Sequence, residues 1–206
     1  VDSCTFSANI GTGVGFCESA SGTVINSSSI DNNSGYVASE NSRVVFTNNS
    51  ASKNLESGFV AFKNANITTP GNQSFQNGLH GFSVSNQSVG NFENNIAYEN
   101  TESGFAAFDE SSMTLRVNES YSNGYQGFSA QDFSKLTVED KTVYDNQSGG
   151  GRCSGESNLV VRRNTIKTNQ LSGVLVSEKC DAIVESNVLS ANQEGGISTF
   201  GESKAS

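Results

Sequence analysis

Glycine recurs at a fixed step of 23 residues, at positions 35, 58, 81, 104, 127, 150, 173 and 196, and this register constrains the chain more than any other feature. Asparagine keeps the same step at Asn54, Asn77, Asn100, Asn123, Asn146, Asn169 and Asn192, with Asp31 in the preceding slot. A second column runs through Asn26, Asn49, Asn72, Asn95, Asn118, Asn164 and Asn187 and is broken only by Lys141. A period of this length belongs to solenoids, whose repeats bury their apolar faces only against neighbouring repeats.

Within a repeat the apolar residues alternate over short stretches between glycine, serine and asparagine, which excludes helical repeats and indicates strands. In residues 100–122, Phe105 and Ala107 alternate, then Met113 and Leu115, and a third short segment follows Asn118. Three strands and three turns therefore make one coil. Tyr36, Phe59, Phe82, Phe105, Phe128, Val174 and Ile197 share a column, with a parallel column two residues later, so both face one core. About nine coils, each advancing one strand spacing of roughly 4.8 Å, predict a rod on the order of 40 Å long. Asparagine amides one coil apart can both donate and accept, which predicts ladders at the turns. The glycine column is expected to mark a turn with positive φ.

The stretches NNIAYENTESGFAAFDESS at 94–112 and NVLSANQEGGIS at 187–198 resemble the right-handed parallel β-helix repeat proteins, a superfamily that includes pectate lyases, alginate epimerases and periplasmic copper-system proteins. The resemblance implies an all-β right-handed parallel β-helix over residues 24–206, with residues 1–23 as an irregular first coil or partial cap. For function it implies little, because the fold hosts enzymes, adhesins and scaffolds alike.

A net charge of −9 disfavours nucleic acid, whose phosphates need a basic surface, and no apolar run is long enough to span a membrane. No signal peptide is visible, so the chain reads as mature or as an excerpt. Four cysteines fall into two local pairs, Cys4 with Cys17 and Cys153 with Cys180, for which local disulfides and an extracellular setting are expected. The alternative for Cys153, which lies in a core column, is a buried free thiol. Of eight Asn-x-Ser/Thr sequons, those at Asn26, Asn72, Asn118 and Asn146 fall in the ladders, leaving sites such as Asn66 and Asn86 for glycosylation.

Three outward columns could carry function. Glu93, Arg116, Glu139, Arg162 and Glu185 alternate in sign, as expected for side chains stacked about 5 Å apart. Asp109, Glu110 and Asp132 form an acidic cluster. Lyases on the resembled fold use such clusters for calcium, so these three residues are the candidates for a Ca2+ site. Phe75, Tyr98, Tyr121 and Tyr144 precede Lys167, with Ser29 and Ser52 in the earlier slots, and present an aromatic strip for a sugar or protein partner.

His80 reads as a solvated turn residue with no triad partners, and the Asp-Pro-His signature of the epimerases is missing. Uninterrupted register predicts a smooth surface without a pocket. The first functional expectation is therefore a non-catalytic extracellular rod: a stalk, adhesin or filament subunit that self-associates end to end or belongs to a longer parent chain. The second is a polysaccharide-binding or lyase-like protein using the acidic column with calcium and the tyrosine strip.

Overall fold

The computed structural model describes residues 1–206 and contains 27 short strands arranged in three nine-stranded sheets. Every strand pair is parallel, and every neighbour in a sheet lies one coil away, so the chain winds as a three-sided parallel β-helix. In a representative coil, Ile96–Tyr98 belongs to sheet 1, Phe105–Ala107 to sheet 2 and Ser112–Arg116 to sheet 3. Alternation explains the burial: Met113 and Leu115 point inward while Thr114 and Arg116 point out.

One cluster of 31 buried apolar residues fills the interior. Its spine is a ring stack, Tyr36 on Phe59 on Phe82 on Phe105, with centroids 4.7–4.8 Å apart. That spacing is the strand spacing itself, so parallel in-register pairing dictates the stack.

The register is not perfect. Val14 pairs with Tyr36 and Ser28 with Ser50, both 22 residues apart, whereas Tyr36 pairs with Phe59 at 23. One residue is missing in the turn between Asn32 and Gly35. Three slots shift accordingly. Asn32, not Asp31, donates its backbone N–H to Asn54 Oδ1, Ser27 replaces Asn26 in the other ladder, and Ile30 rather than Ser29 precedes Ser52 on sheet 1. Asn26 is exposed, so its sequon is not closed off by a ladder.

Both asparagine ladders form. At the corner between sheets 1 and 2, Asn77 Nδ2 donates to Asn100 Oδ1, Asn100 Nδ2 to Asn123 Oδ1 and Asn123 Nδ2 to Asn146 Oδ1, at 2.9–3.0 Å. The left-handed conformation belongs to the residue before each ladder asparagine, such as Gln76, Glu99 or Ser122. The glycine column departs from expectation. Gly58, Gly81, Gly104 and Gly127 do not have positive φ; a Cβ there would instead collide with Ser74, Ala97, Ser120 or Val143 of sheet 1, and with the next glycine carbonyl. Close packing across the corner, not turn geometry, requires glycine.

Lys141 fills the slot where the outer ladder lacks an asparagine, and it is 1% exposed. Its Nζ has no hydrogen-bond partner and lies 3.5 Å from the Phe105 ring centroid and 5.9 Å from that of Phe128. The cause lies at Gly151, which replaces an aromatic ring in the core column. Phe128 leans into the space that a Cβ of Gly151 would occupy, and the lysine stem follows into the opening. Desolvation holds the Lys141 amine well below the usual ammonium range.

Cys153 and Cys180 form a disulfide with their Cα atoms 5.9 Å apart, which settles the choice between a bridge and a free thiol at Cys153. Cys4 and Cys17 are not joined; both are exposed free thiols. Cys4 occupies a ladder slot at the corner of sheets 3 and 1, where its N–H donates to Ser27 Oγ, while Cys17 lies at the corner of sheets 2 and 3. The strand Ser21–Ile25 spans the side between those corners, about 16 Å for five residues, beyond the roughly 7 Å that a disulfide bridges. Thiol titration of the native protein should find two reactive groups, rising to four after denaturation and reduction. Reduction alone should cost about 3 kcal/mol, the magnitude for closing a loop of this order.

Candidate functional site

The tyrosine column stands where the register puts it. Phe75, Tyr98, Tyr121 and Tyr144 are consecutive partners on sheet 1, half-buried, with centroids 4.9–5.1 Å apart and planes within 8° of parallel. Lys167 caps the stack, 5.9 Å from the Tyr144 ring centroid. Rings stacked in this way spend their faces on one another. Tyr98 and Tyr121 therefore offer edges and hydroxyls to solvent, not faces for a sugar to stack upon. Tyr144 donates its hydroxyl to Glu119 Oε1 at 2.9 Å. Burial of the ring, reinforced by Glu119, raises the Tyr144 phenol pKa.

Immediately beyond this strip the chain turns over the asparagine ladder between sheets 1 and 2, and the turn carries a second outward row, exposed at most of its positions. Glu56, Leu79, Glu102, Tyr125, Ser148, Leu171 and Glu194 succeed one another coil by coil, each N–H donating to the carbonyl of the residue before. Between row and strip lies an open cavity of about 560 Å³ lined by Glu99, Thr101, Glu102, Ser122, Gly124, Tyr125 and Gln147, with the ladder residue Asn100 in its wall. Gly124 forms the dent. A Cβ there would strike the Thr101 carbonyl, so the backbone of one coil sits directly on the previous one. Tyr125 is 47% exposed and makes none of the ring stacks that occupy the other tyrosines. Sequence reading missed this residue because it lies in a turn, outside the aromatic column. Its available signal was its place two coils from both Leu79 and Leu171.

The acidic residues do not converge. Asp109 Oδ2 accepts from Asn86 at 3.3 Å and Glu110 Oε2 from Gln87 at 3.0 Å, at a corner where paired left-handed residues splay the side chains. No group of three His, Cys, Asp or Glu side chains is placed to hold one metal ion, so Asp109, Glu110 and Asp132 do not make a three-ligand set. Their column still borders an open polar depression of about 420 Å³ with Lys63, Asn64, Asn86 and Gln87. Asn66, on the outer face of sheet 3, and Asn86, in that turn, are both exposed as glycosylation would require.

The alternating column on sheet 3 forms ion pairs between coils. Arg116 Nε meets Glu139 Oε2 at 3.3 Å and Arg162 Nη2 meets Glu185 Oε1 at 3.0 Å. Arg163 pairs with Asp140 at 2.9 Å, and that hydrogen bond holds the Asp140 carboxyl below its ordinary range.

His80 differs from expectation. It is half-buried, its Nδ1 accepts the Ser103 N–H at 3.2 Å, and its ring lies 5.3 Å from Phe108. Burial lowers its pKa to about 4. His80 and Phe108 stand at opposite ends of neighbouring strands and meet across the outside of sheet 2, which accounts for the burial of the outward residues Ser83 and Ala106. Arg152 is the charged residue in that outward column, and its Nε is buried without a partner.

Three parallel sheets wound around a single core, with asparagine ladders at the corners, define a right-handed β-helix repeat protein. The chain belongs to the right handed beta helix region family, whose model matches residues 1–119 and 80–206. No curated relative matches by sequence. Among solved structures, the Azotobacter vinelandii mannuronan C-5 epimerase AlgE4 A-module is similar at a TM-score of 0.77 and 18% identity, covering 89% of this chain. The periplasmic alginate epimerase AlgG gives 0.76 at 18% over 90%, and pectate lyase Pel9A gives 0.69 at 13% over 98%. This chain spans 64%, 50% and 70% of those structures respectively. At such identities the likeness is one of fold.

Proposed function

We propose that the chain is a polysaccharide-binding β-helix protein that holds a linear glycan parallel to its long axis in the groove between the tyrosine strip and the Tyr125 row. The observation that carries this reading is the cavity itself: about 560 Å³, reaching over three successive coils, with an unstacked, exposed tyrosine on one wall and polar groups around it. An aromatic face with few competing contacts suits a pyranose ring, and flanking amides, carboxylates and hydroxyls suit its hydroxyls. Support also comes from the similar structures, which are alginate epimerases and a pectate lyase. The Cys153–Cys180 disulfide fits an extracellular or periplasmic setting.

The scaffold reading shares the rod but predicts no retained glycan. Affinity electrophoresis through gels containing different linear polysaccharides separates the two. Retardation by at least one polymer, lost in Tyr125→Ala and kept in Tyr121→Phe, is the expected result. Unaltered migration in every gel would sink the glycan-binding reading and leave the scaffold.

A further inference from the structure

The coils are not equivalent along the groove. From Ser74 to Ser148 they alternate with a period of two. The outward row reads Leu79, Glu102, Tyr125, Ser148, Leu171, Glu194, with apolar residues at every second coil. The preceding position reads Gly78, Thr101, Gly124 and Gln147, glycine beside Leu79 and Tyr125 and a longer side chain beside Glu102 and Ser148, until Gln170 beside Leu171 ends the alternation. The support below alternates in step. Ser74 and Ser120 donate to the Gly81 and Gly127 carbonyls and accept from Asn77 and Asn123, whereas the intervening coils have Ala97 and Val143. Two coils span about 9.6 Å. That is close to the length of two pyranose rings in a flat 1,4-linked chain, where successive sugars turn over and the same face recurs every second residue.

The electrostatics of this edge select further. From Gln73 to Ser148 the outward residues of sheet 1 and of the corner include Glu99, Glu102, Glu119 and Asp145 and no lysine or arginine; Lys141 lies inside the core. Glu99 and Glu102 line the cavity beside Tyr125. A polyuronate would bring its carboxylates against these four, on a protein of net charge −9. An ammonium-bearing sugar would meet paired carboxylates and an aromatic ring, the combination that holds organic cations.

We infer that the groove takes a linear 1,4-linked amino-sugar polymer with free amines, read in units of two sugars, one unit per pair of coils. The inference rests on the proposed glycan-binding role and narrows it to a chemical class. The similar structures do not supply that class, since they are alginate epimerases and a pectate lyase.

The test is calorimetric titration of the full chain with three hexamers of equal length: 1,4-linked glucosamine, its N-acetylated form and a 1,4-linked uronate. The glucosamine hexamer should bind most tightly. Affinity should rise from dimer to tetramer, gain little at the odd lengths and gain little beyond the tetramer, because Lys53 and Lys167 bound the acidic stretch of four coils. Glu102→Gln and Tyr125→Ala should each weaken it on the order of tenfold. Glu40→Gln and Glu178→Gln, on the opposite corner, should leave it unchanged. Tighter binding of the uronate or the acetylated hexamer would overturn the inference while leaving glycan binding intact. Equal losses from Glu102→Gln, Glu40→Gln and Glu178→Gln would overturn it as diffuse charge attraction. Failure of all three hexamers to bind would remove the underlying reading as well.

Discussion

Lys141→Met should stabilise the protein at neutral pH by about 1–3 kcal/mol, the range for an unsatisfied buried polar group. The substitution keeps the stem that fills the space beside Phe105, vacated as Phe128 leans toward Gly151, and removes an amine that has no hydrogen-bond acceptor. The contact with Phe105 offsets part of the cost, as an N–H donor or a cation over a ring does. The pH dependence identifies the cause. Burial lowers the amine's pKa in the fold, whereas the unfolded chain titrates near 10.4, so below that value the unfolded state binds the extra proton. Stability of the parent protein should therefore rise with pH toward the unfolded-chain value, most plainly over the last unit or two below it. Urea unfolding of the Met variant should show that slope reduced. Above this window the tyrosines act in the opposite sense, since burial keeps Tyr36, Tyr98, Tyr121 and Tyr144 protonated longer in the fold than in the unfolded chain. An unchanged slope in the variant would show that the amine is not the group responsible.

Asn100→Ala should destabilise by about 3 kcal/mol or more. Asn100 Oδ1 accepts from both the backbone N–H and the side-chain amide of Asn77, and its Nδ2 donates to the Ser74 carbonyl and to Asn123 Oδ1. All four partners lie in the interior of the corner, where water does not replace the lost bonds, and each orphaned group costs about 1–3 kcal/mol less whatever local relaxation recovers. Surface ion pairs provide the contrast. Arg116→Ala breaks a pair whose arginine is 62% exposed, and a change below about 1 kcal/mol is expected. Equal effects from the two substitutions would mean that the ladder is not what holds the corner.

The architecture was legible because a solenoid repeats its physics. Each column is one environment sampled nine times, so alternation, ladders and ring stacks appear directly in the spacing. The reading failed where one coil departs from its neighbours. The residue missing between Asn32 and Gly35 was hidden because Asp31, Asn32 and Asn33 are similar turn formers, and any of them could fill the slot. The fate of Lys141 depends on Gly151 in another column, a coupling across the core that no single column displays. The candidate site was half legible. The tyrosine strip was visible, but the direction of its ring faces follows from stacking geometry, and Tyr125 owes its importance to a glycine dent one residue before it. The glycine column was recognised correctly as a regularity and assigned the wrong cause, because steric contact between corners leaves no mark in a linear pattern.

The disulfide has a mechanical consequence. Each 23-residue coil that peels from the stack under tension lengthens the chain by about 80 Å. The loop from Cys153 to Cys180 encloses more than one full coil, and while the bridge is intact that length stays hidden from a pulling force. An oxidised rod drawn out from its two ends would therefore stop short of a reduced one by about the contour of those 27 residues, roughly 90 Å, so the redox state of a single bond sets how far this molecule can stretch.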